Sequence, residues 1–135
     1  MLYTKQKASV LMNQKRSEYL SDVTGDACVG DRICFLDPVL DKSKSSPRLL
    51  YKVLEAEIVR DSYASYQQNK PHTFTLVDGK GRRFVRPAKT IYSCGTLAIE
   101  RDPKVRAQYL KEKHARGSEA RLLREKRREE LSCRS

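Results

Sequence analysis

Between Asp78 and Lys89 five cations, Lys80, Arg82, Arg83, Arg86 and Lys89, stand against a single acid, Asp78. Guanidinium forks meet phosphate oxygens through bidentate, charge-assisted hydrogen bonds, so a row of them beside a turn suits a nucleic-acid backbone. Side chains alternate along a strand, which places Arg82 and Arg86 on one face and Arg83 on the other. The same charges would equally serve an exposed edge strand by discouraging strand-to-strand aggregation.

A larger concentration lies further on. Residues 101–135 carry twelve Lys or Arg against six Asp or Glu, a surplus of +6 within the chain's formal +11. Lys113, Arg116, Arg121, Arg124, Lys126, Arg127 and Arg128 are the phosphate contacts this surplus predicts, interleaved with Glu112, Glu119, Glu125, Glu129 and Glu130. A mixed-charge helix is often only a solvated face. The excess of base, and the Lys126-Arg127-Arg128 triplet, point instead towards nucleic acid or nuclear import.

Tyr63 and Tyr66, beside Gln67 and Gln68, form an aromatic-amide cluster. Exposed, such rings stack on unpaired bases, at ~1–3 kcal/mol per base, or cage a methylated Lys or Arg by cation–π attraction. Buried, Tyr63 belongs to the core and Tyr66 caps a loop. Catalytic signatures are missing: the sequence holds no P-loop, GxSxG elbow, HExxH or paired-carboxylate motif. His72 and Cys94 are the one conceivable base and nucleophile, and nothing in their spacing joins them. Cys28, Cys34, Cys94 and Cys133 include no CxxC pair, so they read as reduced thiols without a zinc site. No enzyme, metal or cofactor is expected.

The elements that must position these groups follow from pattern. Apolar residues concentrate between Cys28 and Ile99, which predicts one core of about 70 residues with flanking segments. The expected organisation is an N-terminal helical extension over 1–24, a β domain over 25–100 and a basic helix or tail over 101–135. Tyr3 to Leu20 has Ala8, Leu11, Met12 and Tyr19 near one helical face. Strands are predicted at Cys28–Leu36, Leu50–Arg60, His72–Val77 and Arg82–Arg86, with one or two more between Thr90 and Ile99. Along the second, Leu54, Ala56 and Ile58 point one way and Val53, Glu55 and Glu57 the other. Asp37–Arg48 reads as a loop, and Asp78-Gly79-Lys80-Gly81 as a hairpin turn whose Asp-Gly step supplies the positive φ. Phe35, Phe74 and Phe84 are assigned to the core.

Asp102-Pro103 is a helix start, N-cap followed by proline at the first helical position. Val105, Tyr109 and Leu110 are expected to pack its first turns onto the sheet. Gly117 costs about 1 kcal/mol if helical, and Glu119 to Leu131 reads as a solvated helix or a tail that folds on a partner. Short, half-apolar strands in this order predict a mainly β protein with flanking helices (α+β), a small SH3-like or Tudor-like antiparallel barrel. No apolar run reaches the ~18 residues of a membrane span, and no signal-peptide core is present.

Four stretches carry a family resemblance: Gly30-Asp31-Arg32-Ile33, Ile58-Val59-Arg60-Asp61-Ser62-Tyr63, His72-Thr73-Phe74-Thr75, and Glu112-Lys113-His114-Ala115-Arg116-Gly117 continuing to Ala120-Arg121. In this order they resemble a plant domain of unassigned function that occurs beside SAP modules and CCCH-type zinc fingers. The similarity covers about residues 25–128, with an insertion at Gln67–Pro71 and no SAP or zinc-finger segment alongside. It implies a plant nuclear protein working near nucleic acid, and it transfers no catalytic residue. The expectation from residues and resemblance together is a monomeric, non-enzymatic binding module, nuclear and not secreted. Its partner is RNA or DNA, with nuclear proteins as the alternative partner class.

Overall fold

Ile33, Cys34, Phe35 and Leu36 are all buried, although neighbouring residues of a strand point to opposite faces. The strand that carries them therefore has apolar layers on both sides, and the fold is organised around it. A computed structural model describes residues 1–43, 45–62 and 72–133, with backbone alone at 120, 124 and 131–133. The elements are α1 (Lys5–Gln14), β1 (Ser21–Asp22), β2 (Arg32–Asp41), β3 (Arg48–Ser62), β4 (Thr73–Asp78), β5 (Arg83–Pro87), α2 (Ala88–Tyr92), β6 (Thr96–Ala98) and α3 (Pro103–Cys133).

The strands form one antiparallel sheet in the order β1-β6-β2-β3-β4-β5. It is open, with β1 and β5 as its two edges, so the expected SH3-like or Tudor-like barrel does not form. A small barrel has a single filled interior. Here Ile33 and Phe35 join Ala56, Ile58, Phe74, Leu76 and Ile91 on one face. Cys34 and Leu36 join Ala8, Met12 and Leu97 on the other, beneath α1. Two covered faces need two layers of partners, and an open sheet supplies them.

The sheet nevertheless curls. Arg86 of β5 grips Asp37 of β2 at 2.8 and 3.0 Å, with β3 and β4 lying between them. Three strand spacings on a flat sheet would be about 14 Å, beyond the reach of the two side chains. A register shift between Ile58 and Arg60 marks the bend in β3.

Several expectations are corrected. Asp37–Arg48 is not a loop, because β2 runs to Asp41 and β3 begins at Arg48. Pro38 is tolerated there: it lies opposite Tyr51, whose own N–H and C=O bond Tyr3 on the other side of β3. Cys28 and Val29 precede the first long strand rather than opening it. Between Thr90 and Ile99 one strand forms, β6, within the one or two expected, but the short helix α2 that precedes it was not foreseen. In the β4–β5 turn the positive φ belongs to Gly81 (φ 78°), not Gly79. The Asp78 carboxylate accepts the N–H groups of Lys80 and Arg82 and closes the loop.

Local reasoning succeeds where the signal is local. Leu54, Ala56 and Ile58 share a face as expected. Asp102 accepts the Lys104 N–H at 2.9 Å and starts α3, and Thr4 accepts that of Lys7 to start α1. Gly117 lies within α3, which runs through it unbroken.

Candidate nucleic-acid interface

The basic helix α3 is anchored mainly by charged side chains. Of the three residues expected to pack onto the sheet, Val105 and Tyr109 are 48% and 37% exposed and Leu110 alone is half-buried. The polar contacts come from Arg101, just before the helix, and from Arg106, Lys113 and Arg116 along it. Asp31, fully buried at the head of β2, receives Arg106 at 3.2 and 3.1 Å and Arg101 at 2.9 Å. The Gly30-Asp31 turn that presents this carboxylate is itself tied to β3, through Gly30 N–H to Ile58 C=O and Ile58 N–H to Asp31 C=O. Two turns along α3, the buried Lys113 ammonium donates to the Ala27 carbonyl at 2.7 Å and to the Tyr92 hydroxyl at 3.2 Å. It also lies 5.5 Å from the Phe74 ring centre. Arg116 then meets Asp61, at the end of β3, at 2.8 Å.

Asp31, Asp61, Phe74, Lys113 and Arg116 all come from the four stretches quoted above, which the fold thus brings together. Sequence reasoning missed Arg101, Arg106, Asp31 and Asp61 as contacts. The only available signal was Gly30-Asp31, where φ is +92° and an added Cβ would strike the Arg101 guanidinium.

The predicted phosphate ligands therefore divide into two groups. Lys113, Arg116, Arg82 (to Asp78, 3.2 Å) and Arg86 (to Asp37) already have internal partners. Lys80, Arg83 and Lys89 are exposed on the sheet domain. Arg86 shares the Phe84 face and lies 5.1 Å over that ring, while Arg82 belongs to the turn rather than to β5. Arg121, Lys126, Arg127 and Arg128 are exposed along the second half of α3, and position 124 continues the same helix. Tyr63 and Tyr66 lie outside the described residues, as does the Gln67–Pro71 insertion.

Past Gly117 the helix carries its charges on separate sides. At 3.6 residues per turn, positions 116, 121, 124, 127 and 128 fall within an arc of about 140° that contains no acidic position. Glu112, Glu119, Glu125, Glu129 and Glu130 fall on the remaining arc, together with Lys126. The basic arc continues the side of α3 that docks through Arg106 and Lys113. It does not merge with the β4–β5 turn into one stripe. That turn lies at the far end of β4 from the Asp61 and His72 region where α3 leaves the sheet, about 16 Å of strand away.

Burial pushes the Cys28 and Cys34 thiols up to about 11, which keeps both protonated at neutral pH. Among the described residues no group of three or more His, Cys, Asp or Glu side chains is placed to hold a metal ion. No described helix is long and apolar enough to cross a membrane. Comparison with family models, with curated proteins and with solved structures finds no match.

Proposed function

We propose that this protein is a non-enzymatic nucleic-acid-associated module whose phosphate contacts come mainly from the projecting half of α3. The observation that carries this reading is the charge separation on that helix. Its docked half uses Arg106, Lys113 and Arg116 to hold the sheet, while its outer half presents a basic arc without a carboxylate. Lys80, Arg83 and Lys89 add exposed cations elsewhere. Such contacts read the backbone and not the bases, so RNA and DNA share them.

Triple charge reversal, Arg121→Glu with Arg124→Glu and Arg128→Glu, is expected to abolish the mobility shift of a labelled oligonucleotide while leaving the fold intact. An unchanged shift would remove α3 from the interface. The family resemblance supports a plant nuclear setting. Replacing Lys126, Arg127 and Arg128 by alanine in a fluorescently tagged chain would test whether the triplet directs it there.

A second reading, docking onto a nuclear protein partner, is favoured by Leu122 and Leu123, which are 65% and 45% exposed on the same projecting segment. Binding of that kind would persist at salt concentrations that dissolve a phosphate contact.

A further inference from the structure

Lys113 is buried to 5% exposure, yet among the described residues no carboxylate lies within 4.0 Å of its ammonium. A buried charge is costly unless it is paired. Its neighbours are a carbonyl, a hydroxyl and two aromatic rings, which orient a cation without neutralising it. Of the nearby acids, Asp61 is gripped by Arg116 at 2.8 Å, and Asp26 is exposed beside His114, beyond ion-pair distance of Lys113.

Lys113 also lines a cleft of about 390 Å³ between α3, the end of α2 and the start of β4. Its other walls include His72, His114, Arg121, Ser118 and the Tyr92 ring; among the described residues no carboxylate lines it, and the nearest to His114 is Asp26 at 4.0 Å. Gly117 lines it too, on the docked side of the helix, and leaves room that a larger side chain would take. A cavity of this size, with convergent donors and a buried cation, has the form of a small-ligand site. Burial, and then Lys113 itself, hold His72 below its ordinary 6.5, so near neutral pH this ring adds hydrogen bonding without charge.

We propose that this cleft seats a single phosphate group, which completes the charge of Lys113 from outside and is bonded further by Arg121, Ser118 and His114. The seat deepens the nucleic-acid reading, on which the identity of the ligand rests: the phosphate is either a terminal phosphate of a strand or an internal phosphodiester. It shares Arg121 with the outer arc of α3 and differs from that arc in being an open cleft backed by the buried Lys113.

The test is titration of the full chain with inorganic phosphate at constant ionic strength, following the His72 and His114 ring resonances. Saturable shifts in the millimolar range are expected, and an affinity at least about tenfold weaker in both Lys113→Met and Arg121→Glu. Absence of saturable shifts overturns the proposal, as does full affinity in a folded Lys113→Met. If Lys113→Met fails to fold, undiminished binding by Arg121→Glu overturns it instead. An oligonucleotide with a 5′ phosphate, compared with the same strand ending in hydroxyl, then separates the two sources. Tighter binding of the phosphorylated strand identifies a terminal phosphate, and equal binding with the same cleft shifts an internal one. Oligonucleotide binding without any phosphate response in the cleft would reject the seat and leave the nucleic-acid reading standing. A phosphate response with no oligonucleotide binding would do the reverse.

Discussion

Asp31, wholly buried at the head of β2, accepts two hydrogen bonds from Arg106 of α3, 75 residues further along the chain, at 3.2 and 3.1 Å. With Arg101 on the same carboxylate at 2.9 Å, this contact joins the sheet to the helix that carries most of the exposed base. Together with the Arg116–Asp61 pair at 2.8 Å, it couples the sheet domain to the proposed interface.

Asp31→Asn keeps the side chain's shape but removes the charge that two partly buried guanidiniums require. Breaking a buried pair from one side costs about 3–5 kcal/mol, so the urea midpoint is expected to fall strongly. Arg82→Gln, which removes a partner of Asp78 that is 71% exposed, should cost no more than about 1 kcal/mol. Equal losses from the two variants would contradict the assignment of Asp31 as the anchor.

Gly30→Ala and Gly25→Ala separate backbone strain from crowding. Both glycines have positive φ, +92° and +86°, but only at Gly30 would the new methyl group meet another residue, Arg101. Gly25→Ala should lose roughly 1 kcal/mol through strain alone. Gly30→Ala should lose more, with protection of α3 amides against hydrogen exchange falling in parallel. Identical effects would show that Arg101 moves aside freely.

Alkali should unfold this protein through its buried thiols. Cys28 and Cys34 hold their protons up to about 11 when folded, against an ordinary 9.0, chiefly because they are buried. Folded values above unfolded ones mean stability that is full below pH 9 and lost between pH 9 and 11. Tyr19 adds to this, its hydroxyl raised by burial and by the hydrogen bond to Glu55. Lys113, whose value burial lowers, acts in the opposite direction over part of the same range. Three groups against one predict a net fall, and Cys28→Ser with Cys34→Ala should flatten the stability profile measured by thermal melting from pH 8 to 11.

What the sequence disclosed, and what it hid, follows from the range of each interaction. The alternation Leu54, Ala56, Ile58 and the Asp102-Pro103 cap are local, and both are realised. The second half of β2 was illegible because Asp37, Pro38 and Asp41 resemble a loop. The partner that makes Asp37 acceptable, Arg86, lies 49 residues away. The barrel was inferred from strands taken as half-apolar, but Ile33 to Leu36 are buried on both faces, and α1 covers the second. On α3 a search for apolar contacts selects Val105, Tyr109 and Leu110, of which only Leu110 is half-buried. The residues that dock are Arg106 and Lys113, whose carboxylate, carbonyl and hydroxyl partners no pattern along the helix reveals.

The most direct test of the account is fluorescence anisotropy of labelled single-stranded RNA, duplex RNA and duplex DNA. The intact chain should be compared with one ending at Ser118, at low and near-physiological salt. The shortened chain keeps Arg101, Arg106, Lys113 and Arg116, and so keeps the anchored sheet, while losing the part of the basic arc beyond Gly117. The account predicts binding by the intact chain that weakens steeply with salt, by counterion release, and little binding by the shortened one. No binding by the intact chain at low salt, or equal binding by both, would contradict it.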